Sequence, residues 1–190
     1  MQLFENDAAI VTGAGNGIGR AIAQALVREG VNTLFADINA DTVAQAAEAA
    51  ITADQESVGA VATPGEVHTW VVDLSEDGAC ASLLREAQSK LHEPTMLVHS
   101  ASPPRHEKDN IFSVDTETWT RMRAVNVDAA FESIPGQDMG RQKHTRARVV
   151  TDVATYGNAA QSATLQLIES RHEHAGQGVC QVSGAPQHPG

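Results

Sequence analysis

Glycine and acidic residues near the N-terminus are spaced in a way that suits the binding of phosphates and a ribose. The segment Thr12-Gly13-Ala14-Gly15-Asn16-Gly17-Ile18-Gly19 follows an apolar run and opens an Ala/Leu-rich stretch, and Asp37 ends the next apolar run. The first, third and fourth glycines permit, in turn, a tight turn, a close approach of backbone to pyrophosphate, and close packing of helix on strand. The N-terminus of the helix can hold phosphates, and Asp37 can accept hydrogen bonds from a ribose diol. The pattern predicts a dinucleotide site, the alternative being a turn whose glycines have only a structural role.

Alternating strands and helices are predicted to position these residues. Short apolar runs predict six strands, at Ala8–Val11, Thr33–Ala36, His68–Val72, Thr95–His99, Arg148–Thr151 and Val179–Val182. Helical patterns lie between them at Arg20–Arg28, Ala40–Ala53, Glu76–Leu91 and Asp115–Ala130, the third predicted to be capped by Ser75. Such alternation predicts one doubly wound α/β domain of Rossmann type over residues 1–190, with a parallel sheet in the order 3-2-1-4-5-6.

Composition excludes several classes of partner. The net charge is −11 with 13 basic residues, and no basic run is dense enough to follow a nucleic-acid backbone. No apolar stretch approaches membrane-spanning length, and no basic and apolar leader follows Met1. Cys80 and Cys180 lack metal or redox spacing, so we expect free thiols in a reducing compartment and a cytoplasmic location. The His172-Glu173-His174 segment and His106 show no metal-ligand pattern, so we expect no metal site.

The chain resembles the short-chain dehydrogenase/reductase family from residue 7 to about residue 150. The resemblance rests on the spacing Gly13-x-x-x-Gly17-x-Gly19 after Thr12, and on three later segments, Val72-Asp73-Leu74-Ser75, Leu97-Val98-His99-Ser100-Ala101-Ser102 and Val125-Asn126-Val127. It implies hydride transfer between a nicotinamide cofactor and an alcohol or carbonyl, with Asp73 at the adenine amino group and Asn126 in the active-site relay. The implied cofactor-binding residues are Thr12, Gly13, Asn16, Gly17, Ile18, Gly19, Asp37, Asp73, Leu74, Ala101 and Arg171.

The cofactor is expected to be NAD. Asp37 can bind the ribose hydroxyls and would repel a 2′-phosphate, while neither Asn16 nor Ile38 offers the positive charge that such a phosphate requires.

The catalytic residues that the resemblance calls for are largely missing. Family spacing puts Ala154 in the place of the serine, Leu167 in that of the tyrosine, and Ser170-Arg171 where Ser-Lys usually stands. Neither alanine nor leucine can exchange a proton. Tyr156 is the single tyrosine of the chain and is a candidate substitute, the alternative being that it packs or faces water. Asn126 and Tyr156 are therefore the two candidate catalytic residues.

Two classes of function remain open. One is an oxidoreductase that acts on an unidentified alcohol or carbonyl through an unusual acid or through a partner's residues. The other is a nucleotide-binding module without turnover. Outside these two classes, a simpler possibility is a marginal fold with no selected function. Ile134-Pro135-Gly136 interrupts the helix of the family's dimer interface, so a homo-oligomer is possible but that interface is in doubt. The C-terminal part is expected to be shortened and to leave the substrate pocket open.

His99 occupies a strand end where the family has asparagine. It is predicted either to hydrogen-bond between the fourth and fifth strands or to touch the ligand, and the residues favour neither alternative.

Overall fold

The computed structural model describes residues 7–55, 63–103, 114–134, 147–151 and 166–170, with backbone alone for 53–55, 147–151 and 166–170. Its elements are β1 Ala8–Thr12, α1 Gly17–Arg28, β2 Asn32–Asp37, α2 Ala40–Gln55, β3 Val67–Val71, α3 Ala79–Leu91, β4 Met96–His99, α4 Thr116–Arg123, a π-helical turn Ala124–Asp128, α5 Ala129–Glu132, β5 Ala147–Thr151 and β6 Gln166–Ser170. Strands and helices therefore alternate as the sequence predicts, and the π turn joins α4 and α5 without a break.

The six strands form one sheet in the order β3-β2-β1-β4-β5-β6. Neighbouring strands from β3 to β5 are parallel, and β1 pairs with β2 through Thr12 opposite Ala36 and with β4 through Thr12 opposite His99. This confirms the predicted order of the first five strands. It places β1 between β2 and β4, where the order of strands along the sheet reverses.

The sheet carries a hydrophobic core on each face, because successive side chains of a strand point to opposite sides. One core joins the strands to α1 and α2 and includes Ala9, Val11, Val27, Phe35, Val43 and Val98. The other joins them to α3 and includes Ile10, Leu34, Leu83, Leu91 and Leu97. Helices on both faces of a mainly parallel sheet make this the predicted doubly wound α/β fold.

The sixth strand differs from the prediction in its residues and in its direction. Gln166–Ser170 forms β6 and runs antiparallel to β5, with Leu167 opposite Val150. The predicted strand at Val179–Val182 lies outside the described residues. An antiparallel neighbour needs no crossover connection to return the chain to the same end of the sheet.

The predicted cap of α3 is also wrong. The helix begins at Ala79, and the residue before it, Gly78, has left-handed backbone at φ 75° and provides no side-chain cap. Ser75 instead donates its hydroxyl to Asp73 Oδ1 at 2.7 Å. The bond from Ser75 to Asp73 forms in place of the cap because an Asp side chain readily closes a short turn with the residue two positions later.

Candidate functional site

A cavity of about 680 Å³ opens at the carboxyl ends of the central strands. β1 lies there between β2 and β4, and such reversals of strand order are where doubly wound sheets bind their ligands. The walls come from the turn before α1, the ends of β2, β3 and β4, and helix α4. The lining residues are Gly13, Asn16, Gly17, Ile18, Ala36, Asp37, Ile38, Asn39, Thr42, Val72, Asp73, Leu74, Ser100, Ala101, Ser102, Pro103, Arg121 and Val125.

The glycines of the turn before α1 differ in how much space surrounds them. Gly13 has φ +66°, and a Cβ there would lie 2.7 Å from the carbonyl oxygen of Ser100. A Cβ on Gly19 would collide with the carbonyl of Gly13, so helix and turn pack too closely for any side chain at that position. Gly17 has φ +53°, and a Cβ there would meet nothing within 4 Å. The backbone at Gly17 is therefore open to the cavity, as an approaching phosphate requires.

Asn16 gives α1 an N-cap at the same edge of the cavity. Its backbone is extended, and its side-chain oxygen accepts from the amide of Gly17 at 2.9 Å. The first turn of the helix therefore faces the cavity with its positive end, which favours an anionic ligand.

Asp37 is held at the end of β2 by two backbone amides. Oδ2 accepts from Gly15 N–H at 2.8 Å, and Oδ1 accepts from Asn39 N–H at 3.0 Å. Gly15 has no room for a side chain, since a Cβ would lie 2.5 Å from Thr42 Oγ1 and 2.9 Å from Asp37 Oδ2. Sequence reasoning assigned no role to Gly15; the structure shows that its amide fixes the carboxylate that lines the cavity.

Asp73 is fixed in a similar way after β3. Its Oδ1 accepts from the amide of Ser75 at 2.9 Å and from the hydroxyl of Ser75 at 2.7 Å, and Oδ2 lies 3.6 Å from Arg121 Nη2. Burial alone would raise the pKa of Asp73, but the two bonds from Ser75 and the charge of Arg121 outweigh it and lower that pKa. Asp73 is therefore a carboxylate acceptor in the cavity wall at neutral pH.

Thr12 joins β1 to β4 through a hydroxyl that makes all three of its hydrogen bonds. Its Oγ1 accepts from the amides of Ser100 and Ala101, both at 3.2 Å. Because a hydroxyl has one hydrogen, that hydrogen is directed at His99 Nδ1, 3.1 Å away. Thr12 is fully buried and does not line the cavity, so it organises the site without reaching a ligand.

His99 is assigned from this network as the neutral tautomer with hydrogen on Nε2. Nε2 then donates to the carbonyl of Val125 at 2.9 Å. Burial lowers the pKa of His99, and the bond to Val125 offsets this only in part. His99 links β1, β4 and the π turn and does not line the cavity, so within the described residues neither predicted alternative describes it.

Most of the predicted cofactor-binding residues meet at this cavity. Those that line it are Gly13, Asn16, Gly17, Ile18, Asp37, Asp73, Leu74 and Ala101. Thr12 and Gly19 are buried behind it, and Arg171 lies outside the described residues. Sequence reasoning missed Arg121, since nothing in the spacing of α4 indicates that its guanidinium reaches the turn after β3.

The candidate catalytic residues are not brought together in the described part of the chain. Asn126 lies in the π turn with an exposed side chain, one residue beyond the cavity-lining Val125. Tyr156 and Ala154 lie outside the described residues, and Leu167 lies on β6.

Residues 7–55, 63–103, 114–134, 147–151 and 166–170 contain no group of three or more His, Cys, Asp or Glu side chains that could hold a metal ion. None of the helices in these ranges is long and apolar enough to cross a membrane.

The fold and the cavity define a doubly wound α/β protein with a dinucleotide-type site. The family described as short chain dehydrogenase matches residues 7–160. This match covers most of the 190 residues, and the chain belongs to the short-chain dehydrogenase family.

Two curated relatives each match about two thirds of the chain. It is 33% identical over 124 residues to a (3R)-3-hydroxyacyl-CoA dehydrogenase of Canis lupus familiaris, covering 65% of this chain and 46% of that protein. It is 26% identical over 125 residues to a meso-2,3-butanediol dehydrogenase of Serratia marcescens, covering 66% of this chain and 44% of that protein. The chain therefore spans about half the length of the curated relatives it matches.

Solved structures show the same fold. A putative short-chain alcohol dehydrogenase from Sinorhizobium meliloti has a TM-score of 0.56 at 27% identity, covering 67% of this chain and 46% of that one. A 3-oxoacyl (acyl-carrier-protein) reductase from Agrobacterium tumefaciens with NADP bound has a TM-score of 0.60 at 23% identity, covering 76% of this chain and 51% of that one. At that identity the second likeness concerns the fold alone.

Proposed function

We propose that this chain binds NAD(H) and is of the oxidoreductase type, moving a hydride between nicotinamide and an alcohol or carbonyl carbon. The observation that carries the proposal is the position of Asp37. Its carboxylate lines the cavity and is tied by the Gly15 amide to the turn that would receive the phosphates. The turn before α1 and Asp37, joined by this bond, thus offer a site for the phosphates and an acceptor for the ribose diol. These are the two features that bind an adenosine diphosphate.

The cavity residues fit the cofactor. The backbone from Asn16 to Ile18 would hold the pyrophosphate at the start of α1, and Asp37 would accept from the ribose hydroxyls. Asp73 would accept from the adenine amino group, with Leu74 and Ala101 as neighbouring walls. When bound, the nicotinamide ring supplies the carbon that gives or takes the hydride. The protein would position that ring.

NAD is proposed in preference to NADP because of the charge around Asp37. Gly15 and Asn39 together hold the carboxylate in place, so a 2′-phosphate would meet a fixed negative charge. The neighbouring side chains of Asn16 and Ile38 carry no positive charge to offset it. The A. tumefaciens reductase was solved with NADP, but its identity of 23% gives no guide to the cofactor of this chain.

Calorimetric titration with NAD⁺ and with NADP⁺ tests the proposal. Saturable binding of NAD⁺, at least tenfold tighter than NADP⁺, is the expected result. Failure of both dinucleotides to bind would exclude the function. The loaded protein is then screened for changes in NADH absorbance with mixed alcohols and ketones, which tests the reaction.

A nucleotide-binding module without turnover is the second candidate function. It is favoured by Ala154, Leu167 and Arg171 in the places that serine, tyrosine and lysine take in the family. Exposure of the Asn126 side chain, outside the cavity lining, favours it as well. NAD⁺ binding together with a blank substrate screen is the outcome that selects this candidate.

The assembly and location of the chain remain proposals. A homo-oligomer is supported by three exposed apolar side chains on the continuous helix from α4 to α5, namely Trp119, Val127 and Phe131.

A cytoplasmic location is supported by cysteine usage, with Cys80 a free thiol and Cys180 outside the described residues. A single domain over residues 1–190 also stays a prediction, tested by whether unfolding is one cooperative transition.

A further inference from the structure

Arg121 brings a positive charge to the cavity wall at the point where Asp73 stands. It is the basic residue among the cavity-lining side chains of the described chain, and its guanidinium is about half exposed. It comes from α4, whereas Asp73 follows β3, so the pair joins two distant elements at one wall of the site. Nothing in the resemblance to the family gives Arg121 a role.

The two oxygens of Asp73 have different surroundings. Oδ1 is occupied by two donors from Ser75, which fix the rotation of the carboxylate. Oδ2 lies 3.6 Å from Arg121 Nη2 and retains room for another donor, since a carboxylate oxygen can accept more than one hydrogen bond. The wall therefore offers one acceptor and one donor side by side.

This combination matches one kind of base. Adenine carries an amino donor beside ring-nitrogen acceptors, and side chains that read it offer an acceptor and a donor together. A 6-oxo purine such as hypoxanthine carries an acceptor in place of the amino group, which would face the carboxylate. The acceptor Asp73 next to the donor Arg121 thus favours adenine, because charge-assisted hydrogen bonds can form at both the amino group and the neighbouring ring nitrogen.

We propose that Asp73 and Arg121 act together as the reader of the adenine base, with Arg121 donating to the ring nitrogen beside the amino group. The inference rests on the proposed function and adds a specificity-determining residue to it. The competing role for Arg121 is purely structural, an ion pair that fastens α4 to the turn after β3.

Binding of adenine nucleotides to the whole chain separates the two roles. AMP, IMP and two AMP analogues with CH in place of N7 or N1 are titrated against the unmodified protein and against Arg121→Met. The unmodified protein is expected to bind AMP at least tenfold tighter than IMP. One of the two analogues is expected to bind about three- to tenfold more weakly than AMP, since the lost bond is charge-assisted but half exposed.

Arg121→Met should bind AMP three- to tenfold more weakly than the unmodified protein does. Its affinity for the affected analogue should not fall further, because that analogue already lacks the ring nitrogen to which Arg121 donates. Arg123→Met is the matched control. Arg123 has a similar exposure on the same helix, pairs with Asp128 at 3.3 Å and does not line the cavity. It should leave the affinities for all four nucleotides unchanged.

Each outcome decides the matter. If Arg121→Met lowers only the melting temperature while AMP and both analogues bind as to the unmodified protein, the role is structural and the inference is wrong. If the unmodified protein binds neither NAD⁺ nor AMP, the proposed function fails and the inference fails with it. Binding of NAD⁺ and AMP with no effect of Arg121→Met removes the inference alone.

Discussion

The amide of Gly15 donates to Asp37 Oδ2 at 2.8 Å, so the turn between β1 and α1 is tied directly to the end of β2. The bond needs a residue without a side chain, because a Cβ on Gly15 would come within 2.9 Å of the same carboxylate oxygen. The cradle for the phosphates and the acceptor for the ribose are thereby set in one fixed geometry. A change at either residue should alter both parts of the site.

Gly15→Ala should lower both stability and cofactor affinity. The added methyl group would meet Thr42 Oγ1 at 2.5 Å and push against the Asp37 carboxylate. Overpacking of this kind costs about 1–3 kcal/mol, and the displaced carboxylate should weaken NAD⁺ binding several-fold. Urea unfolding and NAD⁺ titration measure the two effects.

Thr42→Ala in the Gly15→Ala background is the control for that variant. It removes the hydroxyl that the new methyl group meets and should recover part of the stability. Because the contact with Asp37 remains, it should recover less of the NAD⁺ affinity. Full stability and affinity in Gly15→Ala alone would show that the tie to Asp37 has no consequence.

Asp37→Ala together with Ile38→Arg should move the preference from NAD⁺ to NADP⁺. The first change removes the fixed negative charge, and the second adds a planar cation at an exposed residue of the cavity wall. We expect the ratio of the two dissociation constants to change by at least tenfold, since a hydrogen bond to a charged group contributes about 1.5–3 kcal/mol.

The matched control for that pair places the arginine elsewhere. Asp37→Ala with Ile51→Arg puts it at an equally exposed isoleucine on α2 that does not line the cavity. This variant should lose NAD⁺ affinity without gaining NADP⁺ affinity. Tighter binding of NADP⁺ than NAD⁺ by the unmodified chain would show that the role given to Asp37 is wrong.

Stability should fall as the pH drops below about 6.5, because the pKa of His99 is lowered in the folded state. Between the ordinary pKa and that lower value, the unfolded chain binds a proton that the folded chain excludes. The free energy of unfolding therefore rises with pH through this window and levels off above it. One proton gives a slope of at most roughly 1.4 kcal/mol per pH unit.

Urea unfolding from pH 5 to 7.5 measures this contribution as the difference in slope between the unmodified chain and His99→Asn. Thr12→Val removes the hydroxyl bonded to Nδ1 but leaves the imidazole buried. It should lower stability at every pH and keep the slope. Identical slopes for the unmodified chain and His99→Asn would contradict the assignment of His99 as a buried neutral residue.

The first βαβ unit could be predicted from the sequence because its signals are local. The glycine spacing, the apolar runs and Asp37 lie within residues 8–37, and each of them constrains its immediate neighbours. The parallel order of the strands then follows from the handedness of crossover connections. The position of the site follows because ligands of such sheets bind at the carboxyl ends of the strands, where the strand order reverses. The structure bears out the order of the first five strands and the doubly wound arrangement, and the family match over residues 7–160 bears out the family.

What the sequence did not indicate depends on contacts between distant segments or on competing local bonds. Ser75 could cap a helix or close a turn with Asp73, and the residue types do not decide between the two. The pairing of Arg121 with Asp73 joins residues 48 positions apart in sequence, which no periodicity encodes. Strand β6 pairs antiparallel with β5, a choice that helix and strand propensities alone leave open.

The last prediction is that the isolated protein turns over alcohols or carbonyls poorly, or not at all, by the family's usual route. The family's spacing predicts Ala154, Leu167 and Arg171 at the positions where hydroxyl, phenol and amine are needed. Acid–base assistance contributes on the order of 10²–10⁴ in rate. NADH absorbance with saturating NAD⁺ and a panel of alcohols measures the turnover. Ala154→Ser, Leu167→Tyr and Arg171→Lys in combination should gain activity if the cofactor is held as proposed.

Two further variants make that prediction decisive. Arg171→Lys alone should gain nothing, because a cation without a phenol supplies no acid. Tyr156→Phe should leave any slow turnover unchanged, because the prediction gives Tyr156 no role as the proton donor. Turnover of the unmodified chain at an ordinary enzymatic rate of about 1–10³ s⁻¹, abolished by Tyr156→Phe, would make Tyr156 the acid. The family alignment of Ala154, Leu167 and Arg171 would then be wrong, and the function without turnover would be excluded.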